Sequence, residues 1–295
     1  MLWAVFTVIA AAAQTARNAM QRELTATLGT VGATHVRFLF GFPFAVVFLA
    51  GVLFVTGSPL PKPALIYWPW IADGLVAQIA ATALMLAAMN DRSFVVTIAY
   101  IKTEPVQVAL FGFILLGDKV TLPLAVAILI ATAGVVVMSL KPGAVQAGGI
   151  KPTLLGLISG GMFGLSAIGY RGAILSLEAA NGFVVSATYT LLVGLVLQSI
   201  LLSAWLVVRD PGVLKAIFRA WRPSVLAGFM GALASQFWFL GFAITSAANV
   251  RTLALVEVLF AQGISKFMLK QPTSRREAVG IALVVLGVGL LVWAH

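Results

Sequence analysis

Apolar runs of about twenty residues, nearly free of charge, follow one another along this chain, and they constrain its fold more than any motif does. About 20 predominantly apolar residues cross a bilayer as a helix. Lipid offers backbone groups no partner, so each run must satisfy its own hydrogen bonds. Pro, Gly and charged residues mark the ends. The resulting spans are roughly 2–20, 33–56, 65–89, 94–116, 120–139, 152–174, 182–208, 222–246, 251–269 and 277–294. The clearest breaks are Gly57-Ser58-Pro59-Leu60-Pro61-Lys62-Pro63, Lys141 to Pro152 and Arg209 to Pro223, and the tightest is Asn90-Asp91-Arg92-Ser93. The first bases, Arg17 and Arg22, follow the first apolar run instead of preceding it, so that run reads as a retained helix and not as a signal peptide.

Composition excludes most alternatives. Of 295 residues, 61% are apolar and 9% charged, against about 45–50% and 25% in soluble domains. A soluble enzyme of this composition would expose apolar surface and aggregate. The net charge of +10 is spread among the apolar runs without a dense patch, which fits membrane orientation and not nucleic acid. There is no cysteine, hence no disulfide framework, zinc site or thiol nucleophile, and no cofactor is implied. No phosphate-binding loop, H-E-x-x-H or G-x-S-x-G occurs, which argues against ATP as the energy source and against a membrane protease or lipase. His35 and His295, the only histidines, have no acids nearby in sequence, so an integral-membrane transferase is the weakest reading.

A single offset of 153 lays the first five spans over the last five without a gap. It pairs Gly29 with Gly182, Trp68 with Trp221, Glu104 with Glu257 and Gly134 with Gly287. The chain therefore divides into a five-helix half, residues 1–145, and a second, residues 146–295. An odd number of crossings turns the second half upside down relative to the first, a recurrent transporter design. The expected fold class is an all-α integral membrane protein: ten transmembrane helices as two inverted repeats around a central cavity.

Polar side chains inside a bilayer usually face a bundle interior or an aqueous path. Several recur at helical spacing: Ser93, Thr97, Tyr100, Glu104 and Gln107; Gln78, Thr82, Met85 and Met89; Ser235, Trp238, Phe242 and Thr245. Looser stripes are Thr7, Gln14 and Asn18, and Ser159, Met162 or Phe163, Ser166 and Tyr170. Walls that mix hydroxyls and amides with methionine and aromatic rings suit a small zwitterion with a variable side chain. The candidate substrate-binding residues are Gln14, Gln78, Thr82, Tyr100, Ser166, Ser235 and Trp238. The bland alternative for any single Ser or Thr is helix packing. Arg37, Lys102, Glu104, Glu257 and Lys266 also fall inside spans. Glu104 and Glu257 are candidate proton or charge sites, and each is equally open to pairing with a base. Lys102 and Glu104, two apart, point to different helix faces; Lys102 and Lys266 are expected to snorkel towards span ends. Pro43 and Pro105 predict kinks, hence hinges. Gly156, Gly160 and Gly164 form a small-residue stripe read as packing within the fold, so the chain is expected to work as a monomer in lipid.

Thr103-Glu104-Pro105-Val106, Leu116-Gly117-Asp118 and Ala133-Gly134-Val135, on ten spans arranged five plus five, resemble the drug/metabolite transporter superfamily, EamA type. Arg37 resembles that family's basic residue in span 2. Asp118 stands where the family has Glu, and the second copy, Val256-Glu257-Val258 with Leu269-Lys270-Gln271-Pro272 and Gly287-Val288, lacks the Pro and the Gly-Glu. The resemblance implies a transporter of the inner membrane that exports small metabolites, amino acids foremost as in YddG-type exporters, by alternating access. The alternative substrates are drug-like cations, which would need an exposed carboxylate at Glu104 or Glu257, and nucleotide sugars. Orientation is contested. Twelve bases, from Arg17 and Arg22 to Arg275 and Arg276, lie in the odd-numbered loops, which favours termini outside, whereas the resemblance implies termini inside.

Overall fold

The computed structural model describes residues 1–91, 100–139, 150–260 and 274–294. These are helical almost throughout, with no strand among the described residues. Helix α1 (Leu2–Leu39) runs straight through the stretch expected to be the first loop and turns only at Gly29, with φ 67° and ψ 179°. The amide of Gln21 donates to the Ala33 carbonyl at 2.8 Å, tying the two arms of the bend together. Spans 1 and 2 are thus joined by a one-residue hinge. The loop was misread because Arg17, Arg22 and Glu23 look like punctuation. Gly182, the partner of Gly29 at offset 153, makes the same turn between α6 (Ile150–Asn181) and α7 (Phe183–Arg209), with φ 71° and ψ 158°. That region of backbone space is essentially closed to residues with a Cβ.

The prolines expected to kink spans mark restarts. The chain leaves α1, turns at Phe40 and Gly41, and begins α2 (Phe42–Thr56) with Pro43 in its first turn. Helix α3 is Tyr67–Asp91. Within span 4, Lys102 and Thr103 form a turn, and α4 (Glu104–Phe111) begins with Pro105 in its first turn. It widens into a π-helical turn over Gly112–Leu116, closed by Gly117 in the left-handed region. After α5 (Leu122–Ser139), α6 and α7 comes a helix that was not expected. This is α8 (Pro211–Arg219), capped by Asp210, which accepts from the Val213 amide at 3.2 Å. Helix α9 is Trp221–Ile244 and α10 is Ala247–Leu253, followed by a 3₁₀ turn at Ala254–Val256. Helix α11 is Arg275–Trp293, opened by a reciprocal Ser274–Glu277 capping box.

Among the described residues, five helical stretches are long and apolar enough to cross a membrane: Glu23–Thr56, Thr153–Leu177, Phe183–Arg209, Trp221–Ile244 and Arg275–Trp293. Glu104–Leu116 and Leu122–Met138 are shorter apolar helices within spans 4 and 5. Large apolar side chains such as Phe54, Val55 and Leu286 stand outward and exposed, as lipid-facing residues do.

The chain forms two compact units, one of residues 2–79 and 169–244, the other of residues 80–168 and 245–295 with Met1. Each takes segments from both sequence halves. In the first, α1 lies along α9 and α2 along α7. Its core includes Leu24, Leu28, Val36, Leu206 and Ile217, and edge-on aromatic packing joins Phe44 to Phe229. In the second, α5 lies along α11 at backbone contact. A Cβ on Gly287 would sit 2.8 Å from the Ala131 Cβ, and one on Gly280 would sit 2.6 Å from the Met138 Cβ. Stepping back from Met138 to Ala131 moves the contact forward from Gly280 to Gly287, so the two helices run antiparallel. The contacts are also reciprocal under the offset of 153: Ala131 meets Gly287, while Gly134 meets Val284, whose amide would be 2.7 Å from a Cβ on Gly134.

Candidate functional site

In the first unit, buried amides and hydroxyls join four helices. Gln78 on α3 is 7% exposed. Its Oε1 accepts from the Tyr170 hydroxyl at 3.0 Å and from the Gln198 amide at 2.9 Å. The Tyr170 ring lies 4.5 Å from that of Phe239. Glycines let these helices approach: a Cβ on Gly74 would be 3.0 Å from Tyr170. Trp238 on α9 donates through Nε1 to Gln14 Oε1 at 3.1 Å. Arg37 donates to Ser235 Oγ at 3.5 Å, and the Gln236 amide to Thr188 Oγ1 at 2.8 Å. Four of the candidate binding residues, Gln14, Gln78, Ser235 and Trp238, therefore belong to this unit, each in a polar contact.

The second unit holds Thr82, Tyr100 and Ser166. Thr82 and Ser166 are each 1% exposed. Tyr100 packs against Gly156, and its hydroxyl is buried without a hydrogen-bond partner among the described residues. Gly156, Gly160 and Gly164 all face the segment from Tyr100 to Phe111, so the small-residue stripe is a packing surface within the chain. Gln107 donates to the Leu157 carbonyl at 3.4 Å and Ser159 to the Ala81 carbonyl at 2.8 Å.

The same unit brings the ionisable residues together in crossed pairs. Arg251 Nε lies 3.1 Å from Glu104 Oε1, and Lys102 pairs with Glu257. Lys102, Glu104 and Glu257 lie at the breaks in spans 4 and 9, and Arg251 lies within α10, on which α4 packs. The sequence reading placed Lys102 as a snorkelling residue. It is instead 7% exposed and held by the carboxylate. Lys266, Ser93 and Thr97 lie outside the described residues, as does the side chain of Met89.

Sequence reasoning missed Gln198, whose signal was a lone amide in the apolar run of span 7. It also missed Arg17, counted as a loop base but buried in α1 at 4% exposure, and Arg171, inside α6, which donates to the Phe242 carbonyl. Arg17 therefore leaves the group of loop bases that favoured termini outside. A separate cavity of about 770 Å³ opens beside α8, lined by Glu23, Thr27, Arg219 and apolar side chains; none of the candidate residues lines it.

Residues 1–140, which carry the Glu104-Pro105 break, match the EamA-like transporter family. That match, over a little under half of the chain, supports the drug/metabolite transporter superfamily, EamA type. EamA-like proteins are transporters, and the match together with the long apolar helices supports a multi-pass integral membrane protein that transports small molecules. No curated protein matches the sequence significantly. Twenty-nine solved chains are significantly similar to it in structure. One, a crystal structure of a protein, aligns over 99% of this chain and 96% of its own, at 16% identity and a TM-score of 0.72. At that identity the likeness speaks for the fold alone.

Proposed function

We propose that this EamA-like protein is a secondary transporter of the inner membrane that exports amino acids or similar small metabolites. It works by alternating access between two inverted five-helix halves. The observation that carries this reading is the reciprocity of contacts at offset 153. Ala131–Gly287 answers Gly134–Val284 across antiparallel helices. In the first unit the contact of Arg17 with Gly231 answers that of Tyr170 with Gln78. Antiparallel helices exchanged by a two-fold axis place that axis across them, in the membrane plane if they span it. Two halves so related can trade conformations and convert an opening on one side into an opening on the other.

Gln14, Gln78, Ser235 and Trp238 of the first unit are binding residues in this reading, and Thr82, Tyr100 and Ser166 are the candidates of the second. Amide and hydroxyl groups solvate a zwitterion, and the aromatic and methionine surfaces adapt to its side chain. A drug-like cation fits less well, because Glu104 and Glu257 each already face a base. Uptake of a labelled amino-acid panel into proteoliposomes of the purified protein tests the reading, with and without a pH gradient. Saturable uptake of at least one member supports it; a panel indistinguishable from empty liposomes overturns it.

A further inference from the structure

Single residues, Asp210 and Ala220, separate α8 from α7 and α9, and both of those helices are long and apolar enough to cross the bilayer. Helix α8 is therefore held at the membrane face. It is amphipathic. Ile217 is fully buried, and Val213 and Leu214 pack with it on Leu24, Leu28 and Leu206. Lys215, Phe218 and Arg219 are exposed. A Cβ on Gly32 would lie 2.9 Å from Val213 Cγ1, so α8 is pressed against the arm of α1 that follows its bend. The offset of 153 matches α8 to residues 58–66, a proline-rich stretch without a helix, so the repeat does not account for α8.

The cavity of about 770 Å³ beside this helix has an apolar wall that includes Met20, Leu24 and Leu226, with Glu23, Thr27 and Arg219 as its polar side chains. Arg209, Lys215, Arg219 and Arg222 are all exposed around it. The acids near them are Asp210, whose carboxylate caps α8, and Glu23. Bases therefore outnumber acids here, whereas the stretch matched by the repeat carries Lys62 alone. The Arg222 guanidinium lies 5.6 Å from the centre of the half-exposed Trp221 ring. Tryptophan and exposed bases mark the depth of lipid headgroups. An apolar cavity that opens at that depth, under a surplus of positive charge, matches a molecule with a hydrocarbon tail and an anionic head. We propose that it binds a diacyl phospholipid of net negative charge. The phosphate rests on Arg219, in the field of Arg209, Lys215 and Arg222, and an acyl chain lies along Met20, Leu24 and Leu226. Glu23 opposes the head charge without cancelling it. A zwitterionic lipid binds less well, because the surplus of bases repels its ammonium group.

The purified full-length protein in detergent is incubated with an equimolar mixture of phosphatidylglycerol and phosphatidylcholine of matched chains, and bound lipid is counted by native mass spectrometry. The wild type retains phosphatidylglycerol over phosphatidylcholine by about fivefold or more, and Arg219→Gln lowers that ratio about fivefold, the factor for one base at a membrane surface. Glu23→Gln removes the opposing charge and raises the ratio. Lys62→Gln, at an exposed base in the loop after α2, leaves it unchanged. Thr27→Trp fills the cavity from an exposed position and abolishes the preferential retention. A wild-type ratio near one overturns the proposal, as does a ratio that Arg219→Gln does not move or that Lys62→Gln lowers equally. A fall with Glu23→Gln also overturns it, since that carboxylate would then be holding a headgroup ammonium. If Thr27→Trp does not assemble, Arg219→Gln and Glu23→Gln, both at exposed side chains, decide the matter. Inorganic phosphate in excess distinguishes the lipid from a free anion: phosphatidylglycerol that stays bound supports the lipid site, and its displacement by phosphate overturns it.

Discussion

Gly29 and Gly182 hold a backbone conformation that other residues adopt only under strain, and a Cβ at either would meet nothing within 4 Å. The cost of alanine there is therefore conformational, about 1–3 kcal/mol at each site. Gly29→Ala and Gly182→Ala should each lower the melting temperature in detergent. Gly51→Ala, at an equally open site inside α2 with ordinary helical backbone, should leave it unchanged or raise it slightly. Tyr170→Phe removes one donor from Gln78, which keeps Gln198. The loss should be about 1–2 kcal/mol, seen in the same thermal scan. Both effects come from single atoms, and only the first was foreshadowed in the sequence, by the repeat pairing of the two glycines.

At the scale of helices, the crossed pairs Glu104–Arg251 and Lys102–Glu257 bind α4 and its preceding turn to α10 and the turn after it. Leaving one member of a buried pair behind costs about 3–5 kcal/mol, whereas replacing both by apolar side chains is often near neutral. Glu104→Met alone should therefore destabilise the protein more than Glu104→Met with Arg251→Met, a ranking that a double-mutant cycle in detergent unfolding reads directly. The helical character of the apolar runs and the break before Glu104-Pro105 were legible from the sequence, because lipid forces an apolar run into a helix and proline interrupts one. The partners of the glutamates were not, because which base reaches which acid depends on how spans pack. Pro105 announced a break in span 4. Its counterpart in span 9 has no proline, yet the chain tightens into a 3₁₀ turn at Ala254–Val256 beside Glu257. The turn forms there without a proline, in contact with α5 and α11. Helix α8 escaped notice because nine residues are too few for a periodic pattern to stand out.

Across the whole molecule, the proposed inverted pseudo-two-fold axis makes a demand that neither half makes alone: every contact across the axis must have an equivalent. The pair Ala131 with Gly287 becomes, under the offset of 153, Val284 with Gly134, and both approach at backbone distance. Because the chain has no cysteine, two cysteine pairs introduced one at a time report without background. Ala131→Cys with Gly287→Cys, and Gly134→Cys with Val284→Cys, should each cross-link under mild oxidation, since a disulfide forms where Cβ atoms lie about 3.5–4.5 Å apart and small backbone shifts suffice. A protease site inserted between residues 145 and 146 makes the result visible on a denaturing gel: the two halves stay joined when linked and separate when reduced. Equal linking of both pairs is the expected outcome. Efficient linking of one pair with none of the other would mean that α5 and α11 pack without two-fold symmetry. The exchange of conformations between halves, on which the proposed mechanism depends, would then lose its geometric basis even if the chain still carried substrate.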